Sequence, residues 1–383
     1  MSNSIADESP EKYTTHPPPH PPPSSFSSLP DEIVLSCLAR VPRSYHLSLS
    51  WVSKHLRALV RSPELNSLRS NLHKSSLHLC VEENESNVQW LTLRPTEETE
   101  TTEYRLVPNP TPFPSPPKNG SSSTVVVGSK IFFIGGGYRR PSTDLWILDT
   151  RSGNMTQGPS MSVHRDGEGA AVGVIDGKIY VIGGVWFQEE EIQVEVFDPK
   201  SETWELAGVE NMRMVSRCSA SVEGKVYMVE YKKTSVYNPR DGEGERMVHM
   251  VRHRLWKDGS KDKFTDKVHR MCVVDDVLFA FFEGSGLMCF DTKLNVWRRL
   301  LGRDGKELFI FHADAMAECD GKLAVLYMWG ESKVGDDVTM TVRCKLVSLH
   351  RSGDRICGTI DWSGVVGEVP YSFSFLHCLA VSD

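Results

Sequence analysis

The 383-residue chain contains no C-x-x-C pair, and its nine cysteines are odd in number. Neither a paired-cysteine zinc site nor a closed disulfide framework is expected. Most of the cysteines sit in apolar runs, such as Met271-Cys272-Val273-Val274 and Met288-Cys289-Phe290, and read as small buried hydrophobes of a reducing compartment. No run of about 18 apolar residues occurs, so no helix is expected to enter a membrane. The N-terminus is polar and has no apolar core of signal type, which leaves the cytoplasm and/or nucleus as the expected address. Positive charge is not in excess: 43 Lys and Arg stand against 50 Asp and Glu, a net charge of −7, so no field draws nucleic acid.

Catalytic signatures are missing as well. No nucleophile elbow or Ser-His-Asp context is visible. Gly135-Gly136-Gly137 does not open a helix, so it does not cradle phosphate. The histidines are scattered: His164, His249, His253, His269, His312 and His350 fall in different stretches, and His249 and His253 have Arg252 and Arg254 beside them. No metal and no cofactor are expected, and the chain is not expected to be an enzyme.

What is present is organised in three parts. Residues 1–25 are acidic and then rich in Pro and His, a composition that cannot bury enough apolar surface to fold, so a disordered leader is expected. Residues 26–73 read as short helices. Ser28-Leu29-Pro30-Asp31 supplies a cap, a first-turn proline and an early acid, and Ile33, Val34, Cys37, Leu38 and Val41 follow at helical spacing up to Pro42. Further starts are expected near Ser44 and near Ser50, the latter helix carrying Trp51, Val52, Leu56, Leu59 and Val60 until Pro63; Leu65, Leu68 and Leu72 suggest one more. So small a bundle has more apolar positions than it can hide, so some face a partner.

From residue 75 the pattern turns to short strands that repeat. An apolar strand, a two-residue turn and a second apolar strand recur, with the residue after the turn at Lys130, Lys178, Lys225, Val277 and Lys322, about 48 residues apart. Asp-Gly and Glu-Gly turns of this kind need φ > 0. Two of the units continue into a double glycine, Gly135-Gly136 and Gly183-Gly184, and a third strand closes on Asp149, Asp198, Asn238 or Asp291, with Trp204 and Trp297 shortly after two of these. Each unit is about four strands, a propeller blade. The last residues, His377 to Asp383, read as a first strand cut at its turn. Residues 75–110 offer the three strands that would complete it, making a sixth blade from both ends of the chain and removing the exposed edges.

The double glycines, the Asp-Gly turns and the two tryptophans resemble the kelch repeat. The 28–70 stretch, with Leu29-Pro30-Asp31-Glu32-Ile33 and Val52-Ser53-Lys54-His55-Leu56-Arg57, resembles the F-box, departing from it where Leu49-Ser50-Trp51 replaces the usual acidic centre. In that order the two resemble the plant-type F-box/kelch-repeat family. The resemblance implies an all-β six-bladed kelch-type propeller over 75–383 behind a small all-α F-box at 26–73. It implies a substrate-recognition adaptor of a Skp–cullin–F-box (SCF) ubiquitin ligase: the F-box docks a Skp-type adaptor, and through it a cullin, while propeller loops hold a target protein for ubiquitination. A kelch scaffold with no ligase link, or a propeller enzyme or specifier, are the alternatives. The residues expected to meet the adaptor are Leu29, Pro30, Ile33, Leu38, Val41, Trp51, Val52 and Leu56. Those expected to meet the target are Tyr138, Arg139, Arg140, His164, Arg165, Trp186, Phe187, Arg213 and Arg217, loop positions rich in the Arg and aromatic residues that interfaces use. Each can instead pack between blades or lie in solvent, and the Arg252–Lys267 insert is either a loop or part of the same surface.

Overall fold

A computed structural model describes residues 29–41, 46–62, 64–65, 68, 75–83, 87–96, 102–109, 112–116, 123–137, 140–166, 169–184, 192–210, 218–229, 233–242, 245–251, 267–334, 337–352 and 355–382. The expected leader at 1–25, Ser28 and Pro42 lie outside these residues.

Three helices come first: α1 (Asp31–Ala39), α2 (His46–Val52) and α3 (Lys54–Val60). The sequence places a helix start near Ser50. The structure instead ends α2 on Trp51 and Val52 and starts α3 after Ser53, whose hydroxyl accepts from the Leu56 N–H at 3.0 Å. That hydroxyl satisfies one of the four orphaned amides at the helix start. Leu65 and Leu68 lie in further helical turns, and Leu72 is outside the described residues.

The strands follow. β1 (Ser75–Glu83), β2 (Asn87–Thr96) and β3 (Glu103–Pro108) are the first. β4 (Ser123–Val127), β5 (Lys130–Ile134), β6 (Leu145–Asp149) and β7 (Asn154–Gln157) form blade one. β8 (Ala170–Ile175), β9 (Lys178–Gly183), β10 (Ile192–Asp198) and β11 (Thr203–Glu210) form blade two. β12 (Cys218–Val222), β13 (Lys225–Val229), β14 (Lys233–Tyr237) and β15 (Met247–Val251) form blade three. β16 (Val268–Val274), β17 (Val277–Phe282), β18 (Gly286–Asp291) and β19 (Val296–Arg299) form blade four. In blade five, a two-residue strand β20 (Leu301–Gly302) lies parallel to β24 in the sheet of β21 (Ala315–Cys319), β22 (Lys322–Val334), β23 (Asp337–Ser352) and β24 (Arg355–Pro370). Finally β25 (Ser374–Ser382) pairs with β1 in the order β25-β1-β2-β3, the blade shared by distant parts of the chain.

All five residues expected after a turn begin a second strand: Lys130, Lys178, Lys225, Val277 and Lys322. Four of these turns have positive φ at both central residues, as in Asp176 (52°) and Gly177 (79°), the twist that matches flanking strands. Asp275 (54°) and Asp276 (58°) manage it without glycine, because a short Asx side chain tolerates the left-handed region. In blades one to four the Asp or Asn at the close of the third strand caps the next turn: the carboxylates of Asp149 and Asp198 accept the N–H of Arg151 and Lys200 at 2.9 Å, and the side-chain oxygens of Asn238 and Asp291 accept those of Arg240 and Lys293 at 3.2 and 3.1 Å. Both predicted tryptophans are braces. Trp204 donates its ring N–H to the Pro159 carbonyl at 2.8 Å, and Trp297 donates to the Thr234 hydroxyl of blade three at 2.9 Å.

The core lies between blades, one apolar layer per gap. Alternation along each second strand feeds two layers at once: Phe132 packs towards blade two with Ile179 and Phe197, and Phe133 towards the closing blade with Cys80 and Trp90. Each such ring contributes about 1.5–3 kcal/mol. The first strands neighbour one another around the axis, from β4 through β8, β12, β16 and β21 to β25 and back to β4, so the ring is closed. Polar side chains tie them together: Ser123 to the Ala170 carbonyl at 2.8 Å, Ser219 to both backbone groups of Val172, and Arg270 to the carbonyls of Asp314 and Phe375 at 2.5 and 3.4 Å. All nine cysteines are free; Cys80, Cys289, Cys319 and Cys344 are buried, but Cys37 is exposed on α1.

Candidate functional site

Two surfaces present side chains that the fold does not use. The first belongs to the helices. Val34, Leu35, Leu38 and Ala39 of α1, Leu56 and Leu59 of α3, and Leu65 form a small core. Arg57 ties α3 to the end of α2 by donating to the Ser50 carbonyl at 3.0 Å. Outside that core stand Trp51 at 74 % exposure, Val52 at 71 %, Ile33 at 50 % and Leu29 at 36 %, with Pro30 exposed beside them. Leu38 and Leu56, expected among the adaptor contacts, are instead 2 % and 8 % exposed and hold the bundle together; Val41 is half-buried. The helices are so short that apolar residues occur on every side, and packing selects which of them turn inward.

The second surface is the end of the propeller opposite the tight turns, where second strands connect to third strands and each blade to the next. Arg140 is exposed there and so is His164. Tyr138, Arg139, Trp186, Phe187, Arg213 and Arg217, and most of the Arg252–Lys267 insert, lie outside the described residues. Arg165 is a correction. Its side chain is fully buried, with one guanidinium nitrogen 2.8 Å from the Glu195 carboxylate and the other donating to the carbonyls of Gly183 and Gln193 at 2.6 and 2.8 Å. Glu195 also accepts the N–H and hydroxyl of Ser162 at 2.8 and 2.6 Å. Burial alone would raise the Glu195 carboxyl, but these hydrogen bonds from Ser162 and Arg165 outweigh it and hold it below the usual range. Arg165 is thus a pin that fixes the connection into blade two.

The first double glycine has the same origin. A Cβ on Gly135 would meet the Arg165 carbonyl oxygen at 2.8 Å, and one on Gly136 would meet that of Arg140 at 1.8 Å. Gly136 and Ser142 both donate their N–H to the Arg165 carbonyl at 3.0 Å. Only a residue without a side chain lets these backbones approach.

Sequence reasoning missed a cluster on blade five. Phe309, Phe311 and Trp329 are 70 %, 72 % and 57 % exposed. The Phe309 and Phe311 rings lie 6.1 Å apart, and His312 lies 5.9 Å from Trp329. The signal was the stretch Leu308 to Phe311, apolar yet outside the repeat; its alternation puts Leu308 and Ile310 against the core and the two phenylalanines outside. Among the described residues no three His, Cys, Asp or Glu converge as a metal ion would need.

Known families match both parts of this architecture. Residues 26–68 match the F-box domain, and residues 79–367 match a domain described as FKB95, Kelch-repeats domain. This chain belongs to the F-box/kelch-repeat family. Among its relatives in Arabidopsis thaliana carrying that name, one is 43 % identical over 94 % of this chain and 98 % of its own length. Another is 37 % identical over the full length of both chains, and a third 34 % identical over 93 % of each. In this F-box/kelch protein the helical module and the closed six-bladed ring are the two halves that the family name describes.

Proposed function

We propose that this F-box/kelch protein is a substrate receptor of an SCF-type ubiquitin ligase, acting in the cytoplasm and/or nucleus. Its helices dock a Skp-type adaptor and, through it, a cullin. Its propeller holds a target protein so that a ubiquitin-loaded enzyme meets it at high effective concentration. The protein itself contributes binding and geometry, not catalysis. The observation that carries this reading is the exposure of Ile33, Trp51 and Val52 on helices whose own core is already complete with Leu38, Leu56 and Leu59. Apolar anchors on a preformed helix face are what groove binding requires.

Co-purification of the full chain with a Skp-type adaptor is the test. The intact chain is expected to form a 1:1 complex. Leu29→Ala/Pro30→Ala and Trp51→Ala/Val52→Ala should weaken it, the latter by ~2 kcal/mol or more if Trp51 is a central anchor. An intact chain that binds no adaptor refutes the ligase reading.

A further inference from the structure

Blade five is built differently from the others. β22, β23 and β24 run to 13, 16 and 16 residues, whereas second and third strands in blades one to four have 5 to 7. A bulge between Met328 and Glu331 contains Trp329 and Gly330, the latter at φ +78°. Beyond it β22 and β23 continue in register from Glu331↔Met340 to Val334↔Asp337, a hairpin that extends past the four-strand plan. Bulges bend a strand and re-aim a side chain. Here the side chain is Trp329, which joins Phe309 and Phe311 among the exposed aromatics of the same loop end.

This ledge is held in place. The Lys345 ammonium donates to the Phe309 carbonyl, Leu308 and Ile310 are packed below, and the Asp314 carboxylate accepts the Met328 N–H at 2.8 Å just before the bulge. Three large aromatics fixed in water forgo stabilisation that burial would give, which marks an interaction site when they cluster. Because they are already ordered, binding does not have to order them.

Charge indicates what binds. Arg343 is exposed and lies opposite Tyr327 in the β22–β23 register; Lys345 follows on the same face, 5.9 Å over the Tyr327 ring. Neither cation has an ion-pair partner among the described residues. Burial, and then the like charge of Arg343, hold the Lys345 ammonium below its ordinary value. Three nearby carboxylates already have partners: Glu307 with Arg299 at 2.7 Å, Asp314 with the Met328 N–H, and Glu368 with the Thr339 hydroxyl at 3.3 Å. An anionic group placed here would relieve two adjacent cations.

We propose that Phe309, Phe311, Trp329 and Arg343 of blade five form the target-docking ledge, and that it takes a protein segment in which Asp or Glu is flanked by aromatic or aliphatic side chains. This rests on the substrate-receptor reading and specifies its partner. The probe is a displayed library of random linear peptides, selected on the full chain. Enriched peptides should carry an acid beside apolar residues. They should bind Trp329→Ser and Arg343→Glu about tenfold or more weakly, with thermal midpoints of both variants unchanged because the side chains are exposed. Replacing the peptide acid by Lys should restore binding to Arg343→Glu. The proposal falls if no peptide is enriched, if the peptides lack an acid, or if they bind the variants as well as the parent. It falls equally if sedimentation finds a dimer of this chain that Trp329→Ser disperses. Adaptor co-purification is unaffected by these substitutions, so a failed ledge and a failed ligase reading give different results.

Discussion

Replacing Arg165 by Met removes one half of an ion pair whose partners are 0 % and 2 % exposed. Taking one member from a buried pair costs about 3–5 kcal/mol, because the remaining charge is left without compensation. The low end applies here. Glu195 keeps two hydrogen bonds from Ser162, but the carbonyls of Gly183 and Gln193 lose their donor. At ~2–4 °C per kcal/mol for domains of 150–250 residues, and less for a larger ring, the propeller's melting midpoint should fall by about 5 °C or more. Glu195→Gln in the same chain retains the acceptor oxygen for Ser162 and removes the stranded charge, so the double variant should recover part of the loss. The effect depends on pH. In the parent, Glu195 has a depressed carboxyl, so its stabilisation is present above the unfolded value near 4.3 and disappears as pH falls through the lower folded value. Without Arg165 only the two Ser162 hydrogen bonds oppose burial, so the carboxyl should rise relative to the parent, and protonating it then relieves the variant. Scanning calorimetry between pH 7 and pH 5 should show the deficit shrinking on acidification. A variant that melts with the parent at pH 7, or a deficit that ignores pH, refutes the pin.

Three further outcomes follow from the same contacts. Gly136→Ala drives a Cβ into the Arg140 carbonyl and should destabilise by about 1–3 kcal/mol or more, whereas Gly128→Ala, at φ +61° with open space around it, should cost only ~1–2 kcal/mol of backbone strain; chemical denaturation separates the two. His377, whose ring packs by Trp90 and Phe133, is held down to about 4 by burial and then by Arg270. Its folded value lies below its unfolded one, so the parent should lose up to ~3 kcal/mol as pH falls from 6.5 to 4, and His377→Gln should flatten that slope in pH-dependent unfolding. Ser53→Ala should remove ~1 kcal/mol from α3, seen as faster hydrogen exchange at Leu56.

The ring was legible because its punctuation is chemical. Primed turns need residues that tolerate positive φ, Gly, Asp and Glu here, and the Asx caps need Asp or Asn at the close of a third strand, so the turns recur in blades two to five and the caps in blades one to four. The terminal closure was legible because strands at both ends lacked partners in sequence. What escaped depends on distance. Whether Arg165 faces water or the interior is decided by Glu195, 30 residues later in the chain. Leu38 and Trp51 carry the same apolar signal, and only the packing of α1 against α3 separates them. The blade-five ledge was hidden because a bulge breaks the two-residue alternation that a strand reading relies on.

The pairing of β25 with β1 has a consequence in time. β1 begins at Ser75 and β25 at Ser374. At ~5–20 residues per second, a ribosome delivers the partner roughly fifteen seconds to a minute after the strand it must join. Until then Leu77, Leu79 and Val81 sit in a strand with one open edge, the kind of surface that chaperones hold and aggregates recruit. The F-box helices have by then emerged, built from contacts local in sequence. A chain interrupted within the propeller would therefore expose its docking helices beside an unfinished ring, and only the last strand turns the nascent protein into a sealed one.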